Sequence, residues 1–471
     1  MRGKKKRLEY FSFYDYTGIA RHLEEMAVRG WILEKIGSVF WQYRKTEPKK
    51  LKFAVYYYPK ASEFDPYPSE AQERFNDYCE YTGWKLAASS AQMQIFYNER
   101  EDPIPIETEP EVKVENINNA AKKVFLPAYI TWFVISLLAC SMLVSSILGD
   151  PIGLFSNSAS LAAGVMFIIM LLLASADLFG YLSWRRKARK AAKHSEFIES
   201  RGHRGLQYFS VAAAFTVLFY WLISVVLTGS VFMRSITLLF LLYFAALFVL
   251  VNAVKQLLKR KRAPAGLNKT LTVASSFVLS FVMLSVIVYG TVSLVKSGAF
   301  SSSMDDYGSL SSGFGEYLNE LPLTVEDMLD TDFDGYIKAH GASESLLLGQ
   351  FHMDQHARDG ALGASEAPEM EYTITLIKAP FLYEMCKNQL ITTQNKTYNI
   401  GISEGEKNIY EPCSPTAWGA EEAYRLISQE TGALNSYMLC YEDRIVQIEF
   451  SWTPTDEQAE KVGEMLGNLS G

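Results

Sequence analysis

Five stretches of this chain carry almost no charge for about 20 residues each, and that fixes most of what it can become. A helix crossing the hydrocarbon core of a bilayer needs about 20 mostly apolar residues. The qualifying segments lie near Val124–Leu148, Ser160–Trp184, Phe209–Leu227, Ile236–Ala253 and Leu271–Val295. No water is available in lipid to satisfy backbone amides, so each is expected to be a helix. Pro127 falls in the first turn of the first segment, where a missing N–H does little harm. The chain has 471 residues, so substantial polar regions flank the spans. The expected fold class is a multi-pass α-helical membrane protein of five spans, with an α+β cytoplasmic domain at the amino terminus and an α+β extracytoplasmic domain at the carboxy terminus.

Direction follows from basic residues in the short loops. Loop 185–208 carries Arg185, Arg186, Lys187, Arg189, Lys190, Lys193, Arg201 and Arg204. Loop 254–270 carries Lys255, Lys259, Arg260, Lys261, Arg262 and Lys269. The two alternate loops hold Arg234 alone. This bias predicts residues 1–123 in the cytoplasm and, after five crossings, residues 296–471 outside a plasma membrane. Residues 1–123 are nearly neutral, whereas residues 296–471 hold 10 Lys/Arg against 29 Asp/Glu. The amino terminus, Met1-Arg-Gly-Lys-Lys-Lys-Arg7, lacks the apolar run of a secretory signal and so agrees with a cytoplasmic start. The basic loops also suit anionic lipid headgroups. They lack the interleaved aromatics and recognition fold of a nucleic-acid surface, so no nucleic-acid partner is expected.

An ionisable residue within a span is a functional candidate by default. Asp177, in Ala174-Ser-Ala-Asp-Leu178, is that candidate. Its place near the basic end of the second span predicts that it reaches the interface or pairs with Arg185 or Arg186. Small residues Ala162, Ala163, Gly164, Ala174 and Ala176 would let helices approach closely.

Residues 1–100 are expected to form the first folded domain, and its sequence repeats. Thr17 is expected to cap a helix running to Arg29, with Gly30 ending it. Trp31–Lys35 and Val39–Arg44 then read as a hairpin around Gly37-Ser38. The order recurs 53 residues later: Ser69 caps a helix, Gly83 ends it, and Trp84–Ala88 pairs with Met93–Tyr97. Leu51–Tyr58 reads as a strand between the units. The expected result is helices on an antiparallel sheet. Trp31, Trp41 and Trp84 are the candidate partner-facing aromatics. Residues 101–123, rich in Glu and Pro at their start, read as a linker to the first span.

The run Leu23-Glu-Glu-Met-Ala-Val-Arg-Gly-Trp-Ile-Leu33, the aromatic strand Phe40–Tyr43, the second Gly83-Trp-Lys-Leu86 and the closing Phe96-Tyr97 resemble the bacterial domain of unknown function 2812. The resemblance covers roughly residues 8–100. It implies a domain joined to several membrane spans. Its usual company, PadR-type transcriptional regulators, implies a regulatory setting and a cytoplasmic regulatory protein as partner. It brings no catalytic residues.

Residues 296–315 read as a Ser/Gly-rich tether and 316–471 as the outer domain. Strands are expected at Ser345–Phe351, Met370–Ile377, Tyr437–Tyr441 and Arg444–Phe450, and helices at Phe381–Leu390, Ala420–Thr431 and Thr455–Leu466. His352, Asp354 and His356 form the most metal-like local cluster, since His at i and i+4 share a helical face. Asp327, Asp330, Asp332 and Asp334 loosely resemble a calcium loop, but Gly341 stands where the terminal Glu belongs. Cys386, Cys413 and Cys440 share the outer side, where one pair is able to oxidise. No nucleophile elbow, phosphate loop or dinucleotide fingerprint is present, so no cofactor is implied. A non-enzymatic sensor or regulatory adaptor is therefore expected. The alternatives are a transport or ion-conducting component, and a metal-dependent enzyme at His352 and His356.

Overall fold

The computed structural model describes residues 3–37, 40–228, 231–296, 321–330, 333, 335–358, 367–394, 408–428 and 431–467. The chain divides into two compact units. One comprises Met1–Cys140, Val165–Val217 and Leu241–Val286; the other comprises Ser141–Gly164, Leu218–Phe240 and Ile287–Gly471.

The first unit opens with β1 (Lys4–Leu8), α1 (Tyr16–Val28), β2 (Trp31–Lys35) and β3 (Phe40–Lys45). It continues with β4 (Lys52–Tyr57), α2 (Glu70–Tyr81), β5 (Lys85–Ser90) and β6 (Met93–Asn98). The strands form two three-stranded antiparallel sheets of identical order, β1-β3-β2 and β4-β6-β5. The duplication is thus a strand–helix–strand–strand unit, one strand larger than the repeat read from the sequence. Even the irregularities correspond: pairing shifts between Leu33 and Lys35 in one copy and between Leu86 and Ala88 in the other. Strand β1 escapes a periodicity reading because Lys4-Lys-Lys-Arg7 has no apolar alternation. It is a charged edge strand, the kind that blocks further strand addition.

Both helices end where the glycines were expected to end them. Gly30 and Gly83 adopt φ of +78° and +91°, a region open to glycine and costly for other residues. The start of α1 differs from expectation. Asp15, not Thr17, is its cap and accepts from the Gly18 amide. Residues 110–123, expected as linker, form helix α3 (Pro110–Lys123). Its Ile117, Ala120 and Ala121 are buried in the same core as Leu23, Tyr43, Tyr57 and Ile95.

Five helices are long and apolar enough to cross a membrane. They are α4 (Phe125–Gly149), α6 (Ser158–Ala192), α7 (Arg204–Thr228), α8 (Val231–Arg260) and α9 (Ala265–Lys296), with a short α5 (Pro151–Ser156) between the first two. The sequence expectation placed all five. At 1.5 Å per residue α6 is about 50 Å long, well beyond a hydrocarbon core of about 30 Å. Its surplus turns carry the basic run from Arg185 onward.

The second unit adds α10 (Val325–Met328), β7 (Tyr336–Glu344), β8 (Leu348–Ala357), β9 (Met370–Ile377), α11 (Tyr383–Gln394) and β10 (Asn408–Cys413). It ends with β11 (Glu422–Ser428), β12 (Gly432–Cys440), β13 (Arg444–Phe450) and α12 (Asp456–Val462). One antiparallel sheet joins all seven strands in the order β10-β11-β12-β13-β9-β8-β7. Alternate residues feed opposite faces. Tyr437, Leu439, Val446 and Ile448 enter a core with Val462 and Leu466, while Met438, Cys440 and Ile445 enter another with Leu382 and Cys386. The helix expected at Ala420–Thr431 is instead β11. A bulge between Arg425 and Ile427 places buried Ala423 and Leu426 three residues apart, which imitates a helical spacing. Of the tether expected at 296–315, Lys296 ends α9 and residues 297–315 lie outside the described residues. The five cysteines are free thiols; Cys386 and Cys440 are buried in one core, and burial pushes both up to about 11.

Substituting Gly30→Ala should lower unfolding stability by about 1–2 kcal/mol, the cost of a left-handed non-glycine residue. A Cβ there would also press on the Thr46 carbonyl at 2.9 Å. Gly266→Ala, which meets nothing within 4 Å, should be close to neutral. Thermal melts of the purified protein compare the two, and equal losses would contradict the assigned backbone.

Candidate functional site

The polar residues that sequence patterns leave unexplained converge between β1 and α1. Residues 9–17 form a connection rich in aromatic side chains, and its polar members point at α6, α7 and the segment joining them. Asp177 of α6 is 2% exposed. One carboxylate oxygen accepts from Ser12 Oγ at 2.6 Å and the other from the Tyr129 hydroxyl at 3.0 Å. Gln207 Nε2 lies 3.1 and 3.2 Å from the two oxygens and 2.9 Å from Ser12 Oγ. The expected pairing of Asp177 with Arg185 or Arg186 is therefore overturned. Arg185 is eight residues further along the helix, about 12 Å at helical rise, while donors from three other elements surround the carboxylate. Gly180 makes room one turn away, because a Cβ there would overlap the Tyr14 hydroxyl. Burial and the nearby charges of Asp177 and Asp15 push the Tyr14 phenol up to about 12.

A second carboxylate, three residues before Ser12, belongs to Glu9. The Glu9 side chain is fully buried. His22 Nε2 stands 2.9 Å from it, Arg7 Nε 3.2 Å and an Arg204 terminal nitrogen 3.6 Å. Burial alone would raise the Glu9 carboxyl, but the His22 hydrogen bond and the charges of His22, Arg7 and Arg204 outweigh it and hold the group below its ordinary range. Asp15 behaves oppositely. Burial raises it despite hydrogen bonds from Gly202, Gly18 and Ser200.

Backbone bonds complete the junction. Thr17 Oγ1 donates to the Ser200 carbonyl at 2.6 Å, and the Ser200 amide returns a bond to Thr17 Oγ1 at 2.8 Å. The Tyr16 hydroxyl donates to the Ile198 carbonyl, and Tyr57 to that of Phe13. Beside them Lys113 sits 3.6 Å from Glu107 and 4.3 Å from the Tyr16 ring centre. Burial raises Glu107 and lowers Lys113, so desolvation outweighs attraction for both.

The other sequence candidates are scattered. Trp41 and Trp84 are 6% and 4% exposed, in two separate cores, so they form no partner surface. Trp31 is half-buried, with Lys5 over its ring at 5.5 Å. His352, Asp354 and His356 alternate along β8. At about 3.3 Å per strand residue the two histidines stand some 13 Å apart, too far for one ion. His356 Nδ1 pairs with Asp354 at 2.7 Å, and His352 Nδ1 with Thr373 Oγ1 at 3.0 Å. Among the described residues no three His, Cys, Asp or Glu are placed to hold a metal. Asp327 closes a capping box with Thr324, while Asp332 and Asp334 lie outside the described residues.

Residues 15–129 match the model of a family described as "Protein of unknown function (DUF2812)". Residues 15–129, about a quarter of the chain, are therefore similar to the DUF2812 family. The match extends past the resembling stretch to include α3 and the first turn of α4. No curated protein and no solved structure matches the chain. The matched stretch contains Asp15, His22 and Tyr129, while Glu9, Ser12, Asp177, Arg204 and Gln207 lie outside it. Sequence reasoning missed most of this junction. The available signal was polar residues at 9, 12 and 15 interrupting an aromatic run, with Arg204 and Gln207 opening the third span.

Asp177→Ala strands two buried donors, Ser12 and Gln207, and the half-buried Tyr129 hydroxyl, and should cost about 1.5–3 kcal/mol, whereas Asp177→Asn should cost less because it keeps an acceptor oxygen. Acid should also act through Glu9. Its folded-state pKa is depressed, so its contribution is present above the unfolded carboxylate value and is lost as pH falls through the folded one. Melting temperature followed from pH 7 downward should fall less steeply for Glu9→Gln than for the parent. Parallel curves would contradict the charge network.

Proposed function

We propose that this chain is a non-enzymatic sensor or regulatory adaptor of the plasma membrane. The amino-terminal domain faces the cytoplasm and engages a regulatory protein, and the carboxy-terminal domain lies outside. The observation that carries this reading is the keyed junction: residues 9–17 of the amino-terminal domain bond to Asp177, Ser200 and Gln207 through buried and part-buried polar groups. A domain held that way follows any displacement of α6 and α7.

The carboxy-terminal domain has a corresponding grip on the same helix in the other unit. Ser158, at the start of α6, donates to the Glu344 carbonyl at 2.8 Å. Ser345 Oγ donates to the Phe155 carbonyl at 2.5 Å, and Ile152 of α5 is buried in a core with Leu348 and Ile377. Covalent continuity of α6 thus supports a mechanical link between the two domains. Orientation rests on the Lys/Arg bias of the loops. For a protein partner, the exposed large aromatics include Tyr78 and Tyr81 of α2, at 63% and 92% exposure, in place of the buried Trp41 and Trp84.

Cysteines introduced as Glu101→Cys and Leu346→Cys test the arrangement in intact cells. A membrane-impermeant thiol reagent should label the Leu346→Cys protein at once and the Glu101→Cys protein only after permeabilisation. The reverse pattern would remove the proposal. Deleting residues 3–100 with the spans kept should abolish capture of a cytoplasmic protein, and an unchanged captured set would remove the adaptor role.

A further inference from the structure

The basic surplus of α6 does more than orient the helix. Arg186, Arg189, Lys190 and Lys193 fall at i, i+3, i+4 and i+7, so they share one helical face. That face forms one wall of a cavity of about 580 Å³, with Glu111 and Glu115 of α3 on the other wall and Val114 and Ala192 between them. Several cations of the same unit are paired, among them Arg7 and Arg204 with Glu9, and Lys113 with Glu107. Among the described residues no carboxylate comes within ion-pairing distance of the four lining cations. Like charges stacked at this spacing repel. The wall therefore holds uncompensated positive charge around a concave space, with a net of +2 after the two glutamates.

Position selects the ligand. The cavity begins just past Trp184, where the apolar stretch of α6 ends. Headgroup layers add about 5–8 Å on each side of the hydrocarbon core. The seven-residue advance from Arg186 to Lys193 covers about 10 Å, enough to reach across that layer. We propose that this cavity is a binding site for the phosphate of an anionic phospholipid headgroup. The inference rests on the helices crossing a bilayer and is independent of the coupling proposed above.

The test uses full-length protein in detergent, stripped of native lipid and titrated with phosphatidylglycerol, phosphatidylcholine or inorganic phosphate, with binding followed by native mass spectrometry and thermal shift. Phosphatidylglycerol should bind and phosphatidylcholine should not compete. At about fivefold per charge, the combined Arg189→Ala, Lys190→Ala and Lys193→Ala variant should bind ~100-fold more weakly. The matched Lys259→Ala, Arg260→Ala and Lys261→Ala variant should bind like the parent. Glu111→Gln with Glu115→Gln should bind more tightly, a gain that misfolding cannot imitate. Equal affinity of the two triple variants would overturn the site. Competition by inorganic phosphate as strong as that by lipid would overturn the lipid assignment, and equal binding of phosphatidylcholine would overturn the role of charge.

Discussion

A carboxylate taken out of water costs several kcal/mol unless charges or donors meet it. Asp177 sits on a helix otherwise suited to lipid, and its donors come from elsewhere: Ser12 from the amino-terminal region, Tyr129 from α4 and Gln207 from α7. Separating the amino-terminal domain from the helices would remove Ser12 and leave the aspartate and Gln207 short of a partner. The same constraint holds for Glu9, whose compensating cations come from β1, α1 and α7. Docking is thus a condition for burying these acids, and the domain and the adjoining parts of the helices fold as one unit.

The acids of this junction differ in how well they are compensated. Glu9 is held below its ordinary range by His22, Arg7 and Arg204, whereas Asp15 and Glu107 are raised because burial outweighs their partners.

Much of this was legible in the sequence, and the reasons are physical. The spans announce themselves because lipid forbids charge over about 20 residues. The duplication was visible because Gly30 and Gly83 end equivalent helices before equivalent hairpins. Strand β1 was hidden because a charged edge strand has no buried face to advertise. Strand β11 was misread because its bulge shifts the buried residues to a helical interval. The polar junction was hidden for a different reason: Ser12, Asp177 and Gln207 are separated by up to 195 residues, and no local pattern joins them. His352, Asp354 and His356 suggested chemistry only under an assumed helix, and the strand disperses them.

The most direct test of the account is hydrogen exchange across residues 9–18 in the full-length protein in lipid nanodiscs, for the parent and for Asp177→Ala. The Thr17 and Gly18 amides are bonded to Ser200 and Asp15, so this segment should exchange as slowly as strand β6 in the parent. In Asp177→Ala it should speed up while β6 stays protected. A segment that exchanges like an exposed loop in the parent, or that ignores the substitution, would contradict the claim that a buried aspartate locks domain to membrane helices.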